Sequence, residues 1–147
     1  MLRTTILAAS ILALALTGTA SADNHPQQER QALMEGVRDA AKVVGPMLRG
    51  DAAYDSAAVA ESLDVWADAA ARFGELFPEG SESGDETEAA PAIWEDRAGF
   101  DAALAEWSDA VDAAIAAKPA TLEEAKPLLG AAFGSCKNCH DGYRVED

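Results

Sequence analysis

Cysteine is scarce in this chain, with two residues in 147, and histidine is equally scarce at two. A disulfide-built fold is excluded. The two cysteines, Cys136 and Cys139, stand three positions apart, and a bridge between them would close too short a loop to stabilise much. A structural zinc site needs about four ligands, and beyond these thiols and His140 only the distant His25 remains. Positive charge is also short: 11 Lys and Arg face 26 Asp and Glu, a formal net charge of −15. So acidic a surface argues against nucleic acid and anionic membranes, and favours a basic partner or plain solubility. Gly and Pro are modest at 11 and 6, alanine is abundant, and helix propensity is high throughout. No strand pattern, Ser/His/Asp set or phosphate-binding loop is present.

The single long apolar run is N-terminal. Met1-Leu2-Arg3 brings a positive charge, Ile6 to Leu16 is apolar, and Ala20-Ser21-Ala22 supplies small residues. This is the layout of a secretory signal peptide, residues 1–22, cleaved after Ala22. The run is shorter than the roughly 20 residues of a spanning helix. Residues 23–147 are then one exported domain, with no membrane span in the mature chain.

Four segments repeat apolar residues at helical spacing. The first runs from about Pro26 to Arg49, with Leu33, Val37, Ala40, Val44 and Met47 on one face and Gly50 ending it. The second, from Ser56 to about Phe77, carries Val59, Leu63, Trp66, Ala70 and Phe73, and Asp55 or Ser56 caps it. Pro78 to Pro91 is rich in Gly, Ser and acid and reads as an exposed loop. The third runs from near Pro91 to about Lys118 along Ile93, Phe100, Leu104, Trp107 and Val111. The fourth starts at Thr121, where Glu124 completes a capping box. Pro127 and Gly130 predict a kink or a late start there. Leu129, Phe133, Cys136, His140 and Tyr143 share its face. The prediction is an all-α antiparallel four-helix bundle, a fold that builds cofactor sites from side chains on facing helices.

Cys136, Cys139 and His140 form C-x-x-C-H, which in an exported chain reads as attachment of haem c, one per chain, through two thioether bonds. Two thiols three apart share a helical face, where each can add to one porphyrin vinyl group. The adjacent imidazole can turn under the iron as an axial ligand. A thioredoxin-like redox pair would need a βαβ setting, which the pattern lacks. His25 reads as a solvated terminal residue.

From Arg30 to Arg144 the chain resembles the class II cytochromes c, the cytochrome c′ family of bacterial periplasms. The matching pieces are "RQALM" (Arg30 to Met34), "LFPEGS" (Leu76 to Ser81), "PAIWEDRAGFDAAL" (Pro91 to Leu104) and "CKNCHDGYR". The resemblance implies a four-helix bundle with haem near the C-terminus and a periplasmic location. It implies that Arg30 and Gln31 lie near the haem edge, that Met34 lies on the distal side of the iron, and that Arg144 packs close to the haem. It also implies a homodimer in many members. From the residues alone, Arg30 and Arg144 equally read as solvated charges, and Met34 as a flexible core filler.

Two iron states occur in that family. In high-spin members the distal side is an apolar pocket and histidine is the sole protein ligand. In a low-spin sub-group a first-helix methionine supplies the second ligand. Met34 stands at that position, where some high-spin members carry a non-ligating methionine. The stretch from Arg30 to Gly50 matches the low-spin type. Met47 is excluded as a ligand to the same iron, since it lies about 20 Å further along the helix. The expected function is a one-electron carrier meeting a basic redox partner. The alternative is a five-coordinate protein binding or sequestering nitric oxide or carbon monoxide. An enzyme is not expected, because the first helix offers no histidine after His25 to form a distal acid–base pair. Trp66, Trp94 and Trp107 read mainly as packing residues.

Overall fold

The computed structural model describes residues 25–145. The signal-peptide expectation falls on residues outside that range. Among the described residues the elements are helices α1 (Pro26–Arg49), α2 (Ser56–Phe73), α3 (Ala92–Glu95), α4 (Arg97–Ala117) and α5 (Leu122–Tyr143), with a 3-10 turn at Gly74–Leu76. No strand is present among them, only an isolated antiparallel bridge between Ala89 and Arg144. No described helix is long and apolar enough to cross a membrane.

Local chemistry sets the boundaries. Pro26 opens α1, where a missing N–H costs nothing. Gly50 ends it in the left-handed region at φ 83°, its N–H donating to Met47 and Pro46 carbonyls. Of the two candidate caps for α2, Asp55 is the one used: its carboxylate accepts from Ala57 N–H at 2.9 Å and Ala58 N–H at 3.2 Å. The predicted extension of α2 to Phe77 is corrected. The α-helix stops at Phe73 and tightens into the 3-10 turn at Gly74, which lies so close to Leu104 that a Cβ would stand 3.0 Å from its Cδ2.

The predicted third helix is two pieces. Asp96 leaves helical geometry at φ −127°, ψ 61° and caps Gly99 N–H at 3.1 Å, so α4 restarts at Arg97. Of the kink or late start predicted for α5, the late start is corrected. The Thr121–Glu124 capping box forms, with both reciprocal bonds present, and the helix runs through Pro127 from Leu122. Pro127 lies early in the helix, where it removes one carbonyl partner without ending the helix.

The four long helices form the bundle. α1 packs on α2, α2 on α4, and α4 on α5, whereas α1 and α5 touch over only a few residues. The main core lies inside the first three contacts. Val44, Val59, Leu63, Trp66, Val111, Ala114, Leu129 and Ala132 are buried there. Trp66 donates its indole N–H to Val37 carbonyl at 3.1 Å and meets Phe133 edge-on at 5.3 Å. A second, smaller cluster of Phe77, Ile93 and Phe100 sits at the end of the bundle near the chain terminus, with Phe73, Trp94 and Tyr143 packed on it. Trp66 and Trp107 are core residues, as expected, and Trp94 belongs to the second cluster.

Candidate haem site

The last two turns of α5 bear the thiols. Both Cys136 and Cys139 are half-buried and unpaired. Cys136 Sγ donates to Ala132 carbonyl at 3.3 Å and packs on the main core, beside Phe133. Burial pushes the Cys136 thiol pKa up, and the neighbouring Cys139 adds to this. Burial alone raises Cys139. Both are therefore neutral thiols at neutral pH, three positions apart on one helical face.

His140 follows on the exposed side of the helix. What burial its ring has, and then the Arg144 guanidinium, push its pKa below the ordinary histidine value, against the opposing pull of Glu88 and Asp141. Its imidazole is thus neutral at neutral pH, the form that binds a metal.

Met34 is half-buried on α1 and, unlike its neighbour Leu33, packs on neither buried cluster. Ala32 and Gly36, two residues to either side, line the outer groove between α1 and α2. A separation of two residues is roughly 160° around a helix. Met34 therefore lies on the flank of α1 away from that groove. Met47 is buried in the main core, consistent with its exclusion.

Arg30 and Gln31 sit one turn earlier, and both are engaged with the 78–91 loop. Arg30 is buried to 4% exposure. Its Nη2 donates to Ser81 carbonyl at 2.8 Å, and its guanidinium lies 4.6 Å from the Phe77 ring centre and 5.7 Å from that of Trp94. Burial lowers its pKa and Glu82 opposes that. Arg30 Nε is buried without a partner. Exposed Gln31 donates to Asp85 carbonyl at 2.6 Å. Arg144 is exposed and pairs with Glu88 at 2.7 Å. The reading of Arg30 as a solvated charge is excluded by its burial. His25 is exposed as expected and lies 3.4 Å from Asp85.

Sequence reasoning missed three partners. Gln27 is buried and donates to Ser83 carbonyl at 2.8 Å, making with Arg30 and Gln31 a polar row at i, i+3 and i+4. That spacing was the available signal. Ser81 is buried inside a loop expected to be exposed throughout. Tyr143 reaches across to Asp96 at 3.4 Å, over Gly99, where any Cβ would collide with both side chains. Nothing in local sequence pairs Gly99 with Tyr143.

These residues fit a covalently held porphyrin. The two neutral thiols share a face, the imidazole beside them is unprotonated, and an orphaned guanidinium N–H one turn from Met34 is a ready donor for a carboxylate. Among the described residues no group of three or more His, Cys, Asp or Glu is arranged to hold a bare metal ion.

Comparisons with known proteins agree with that fit. A family model described as cytochrome C' matches residues 25–144. A cytochrome c' of Rhodopseudomonas palustris is 37% identical, the match covering 88% of each chain. A cytochrome c-556 of the same organism is 32% identical over 100% of this chain and 99% of its own. The solved structure of cytochrome c' from Rhodopseudomonas palustris superposes with a TM-score of 0.81 at 34% identity, covering 85% of this chain and 99% of that one.

Proposed function

From the premise that this chain belongs to the cytochrome c' family and carries covalently attached haem c, we propose that it is an exported one-electron carrier with His140 and Met34 as the two axial ligands. The haem supplies the redox couple, ferric to ferrous. The chain's own residues do the rest. Cys136 and Cys139 would hold the group through two thioether bonds, and His140 would offer its neutral imidazole nitrogen to the iron.

Met34 is the observation that carries the reading. A methionine used as core filler packs on the core, and this one does not. It is held half-buried on the α1 flank away from the α1–α2 groove. His/Met ligation raises the reduction potential of haem iron. Arg30, with one free N–H, and Gln31 and Arg144 surround the same end of the bundle and are assigned to the haem edge.

The N-terminal pattern supports cleavage after Ala22 and delivery to the periplasm. Excess acid on the surface supports a basic redox partner whose association slows as salt rises. The shallow groove of Ala32, Leu33, Gly36, Val65 and Ala69, mostly apolar but bordered by Asp64 and Asp68, with exposed Val43 nearby, is the seat assigned to a second copy in a homodimer. The described α1 carries no histidine, which supports a carrier over an enzyme.

A second reading rests on one finding: the 37% identical relative is a cytochrome c' and the 32% identical one a cytochrome c-556. It leaves the sixth position open for nitric oxide or carbon monoxide. Optical spectra separate the two. The carrier predicts a low-spin ferric spectrum with a long-wavelength sulfur-to-iron charge-transfer band, lost in Met34→Leu, and CO binding that tightens in the variant. A high-spin spectrum that Met34→Leu leaves unaltered contradicts the carrier reading and supports the gas-binding one.

A further inference from the structure

The two helices that bear the proposed ligands scarcely touch each other. What joins them is the 78–91 loop. Its first half is gripped by α1: Gln27, Arg30 and Gln31 donate to the main-chain carbonyls of Ser83, Ser81 and Asp85 at 2.8, 2.8 and 2.6 Å. Gln31 also reaches Glu86 carbonyl at 3.4 Å. Its second half is gripped by the end of α5. Ala90 N–H donates to Tyr143 carbonyl at 3.0 Å, Val145 N–H to Glu88 carbonyl at 2.9 Å, and Arg144 Nε to the Glu88 carboxylate at 2.7 Å. Thr87 alone separates the residues held by α1 from those held by α5.

The α1-facing half is not a relaxed connection. Gly84, Asp85 and Glu86 follow one another at φ 95°, 46° and 53°. Non-glycine residues avoid this region; Asp85 and Glu86 adopt it as the central pair of a tight turn closed by Thr87 N–H on the Gly84 carbonyl at 3.1 Å. Gln27 and Gln31 hold that turn against α1. Apart from a long 3.5 Å contact from Arg30 Nη1 to Ser81 Oγ, the acceptors in the α1 grip are backbone carbonyls, so side-chain identity matters mainly on the helix, and backbone shape mainly in the loop.

We propose that the 78–91 loop is a strap that sets the spacing between α1 and α5, and with it how firmly Met34 engages the sixth position, with Gln27 as a positioning residue. The proposal rests on the assignment of Met34 as second ligand. Gln27 touches the strap and is assigned no contact with the haem, so its effect on the iron is transmitted through the loop.

The test uses the holoprotein with Gln27→Ala and, from the loop side, Gly84→Val, which places a β-branched residue at a φ it does not adopt. Each should weaken the sulfur-to-iron band. Gln27→Ala should tighten ferrous CO binding about fivefold, the effect of one lost hydrogen bond on the population with Met34 released. The two lesions remove one contact, so together they should do no more than the stronger alone. A second readout does not depend on Met34. Nitroxide labels at Glu35→Cys on α1 and Ala131→Cys on α5, both exposed positions and both outside the C-x-x-C-H motif, report the helix spacing by pulsed EPR in the ferrous CO form. Both strap variants should broaden that distance distribution. Bands, CO affinity and label distances all matching the wild type in both variants would overturn the strap. A wild-type chain lacking the sulfur band contradicts the Met34 assignment instead. The label distances then decide the strap alone: broadening upholds it as the spacer of α1 and α5, and unchanged distances overturn it.

Discussion

The two sides of this bundle are built from the same helices and differ in what they finish by themselves. Where α2 meets α4 and α5, the protein completes its own interior: Val44, Val111, Ala114, Leu129 and Ala132 are each 0% exposed. Around the candidate haem residues it does not. Met34, Cys136 and Cys139 are only half-buried, His140 is exposed, and α1 and α5 draw together over few residues. A close-packed interior normally leaves no such margin. That contrast is what the proposed haem seat requires: one face of each helix packed by protein, the other left for the bound group.

Breaking the reserved side should have an all-or-none effect. Cys136→Ser combined with Cys139→Ser removes both anchors. No haem should then remain with the chain on a denaturing gel, where the parent chain stains for haem. Breaking the packed side should leave the chromophore alone. Leu129→Ala opens a cavity in a fully buried site and should cost about 3 kcal/mol in denaturant unfolding, with the holoprotein's optical spectrum unchanged. Met34→Leu should show the reverse profile. The spectrum should change, while the haem-free chain loses less than about 1 kcal/mol, because the swap conserves volume and Met34 packs on neither cluster.

Much of the packed side was legible in sequence because its signal is local. The repeats through Val44, Leu63, Trp66, Val111 and Leu129 have the helical period, and those residues are buried. Thr121 with Glu124 announced a cap that forms as read. The errors lie where a distant residue decides. α2 gives way to a 3-10 turn at Gly74, which lies against Leu104, thirty positions away. Asp96 looked like one more residue of a continuous helix, yet it caps a new one and meets Tyr143. At the site, C-x-x-C-H was readable because covalent chemistry demands that spacing. The grip of Gln27 on Ser83 was not readable, because its acceptor is a main-chain carbonyl that carries no side-chain signature.

The smallest expected effect concerns pH and the haem-free chain. Both thiols have pKa values raised by burial. Above the ordinary thiol pKa the unfolded chain has lost protons that the folded chain still holds. The stabilising difference is thus complete below that pKa and is lost as pH rises through the folded values. Haem-free protein should become easier to unfold in urea as pH climbs past the ordinary thiol range. The slope just above the ordinary thiol pKa should shrink when both cysteines are replaced by serine, while Tyr54 and Tyr143, whose pKa values are also raised by burial and then by nearby acid, keep a slope at higher pH.

The most direct test of the central claim is the intact mass of the exported protein after treatment with a thiol alkylator. The account predicts a chain beginning at Asp23, heavier than its bare sequence by one haem, with neither Cys136 nor Cys139 alkylated. A mass equal to the bare chain plus two alkyl groups would contradict it.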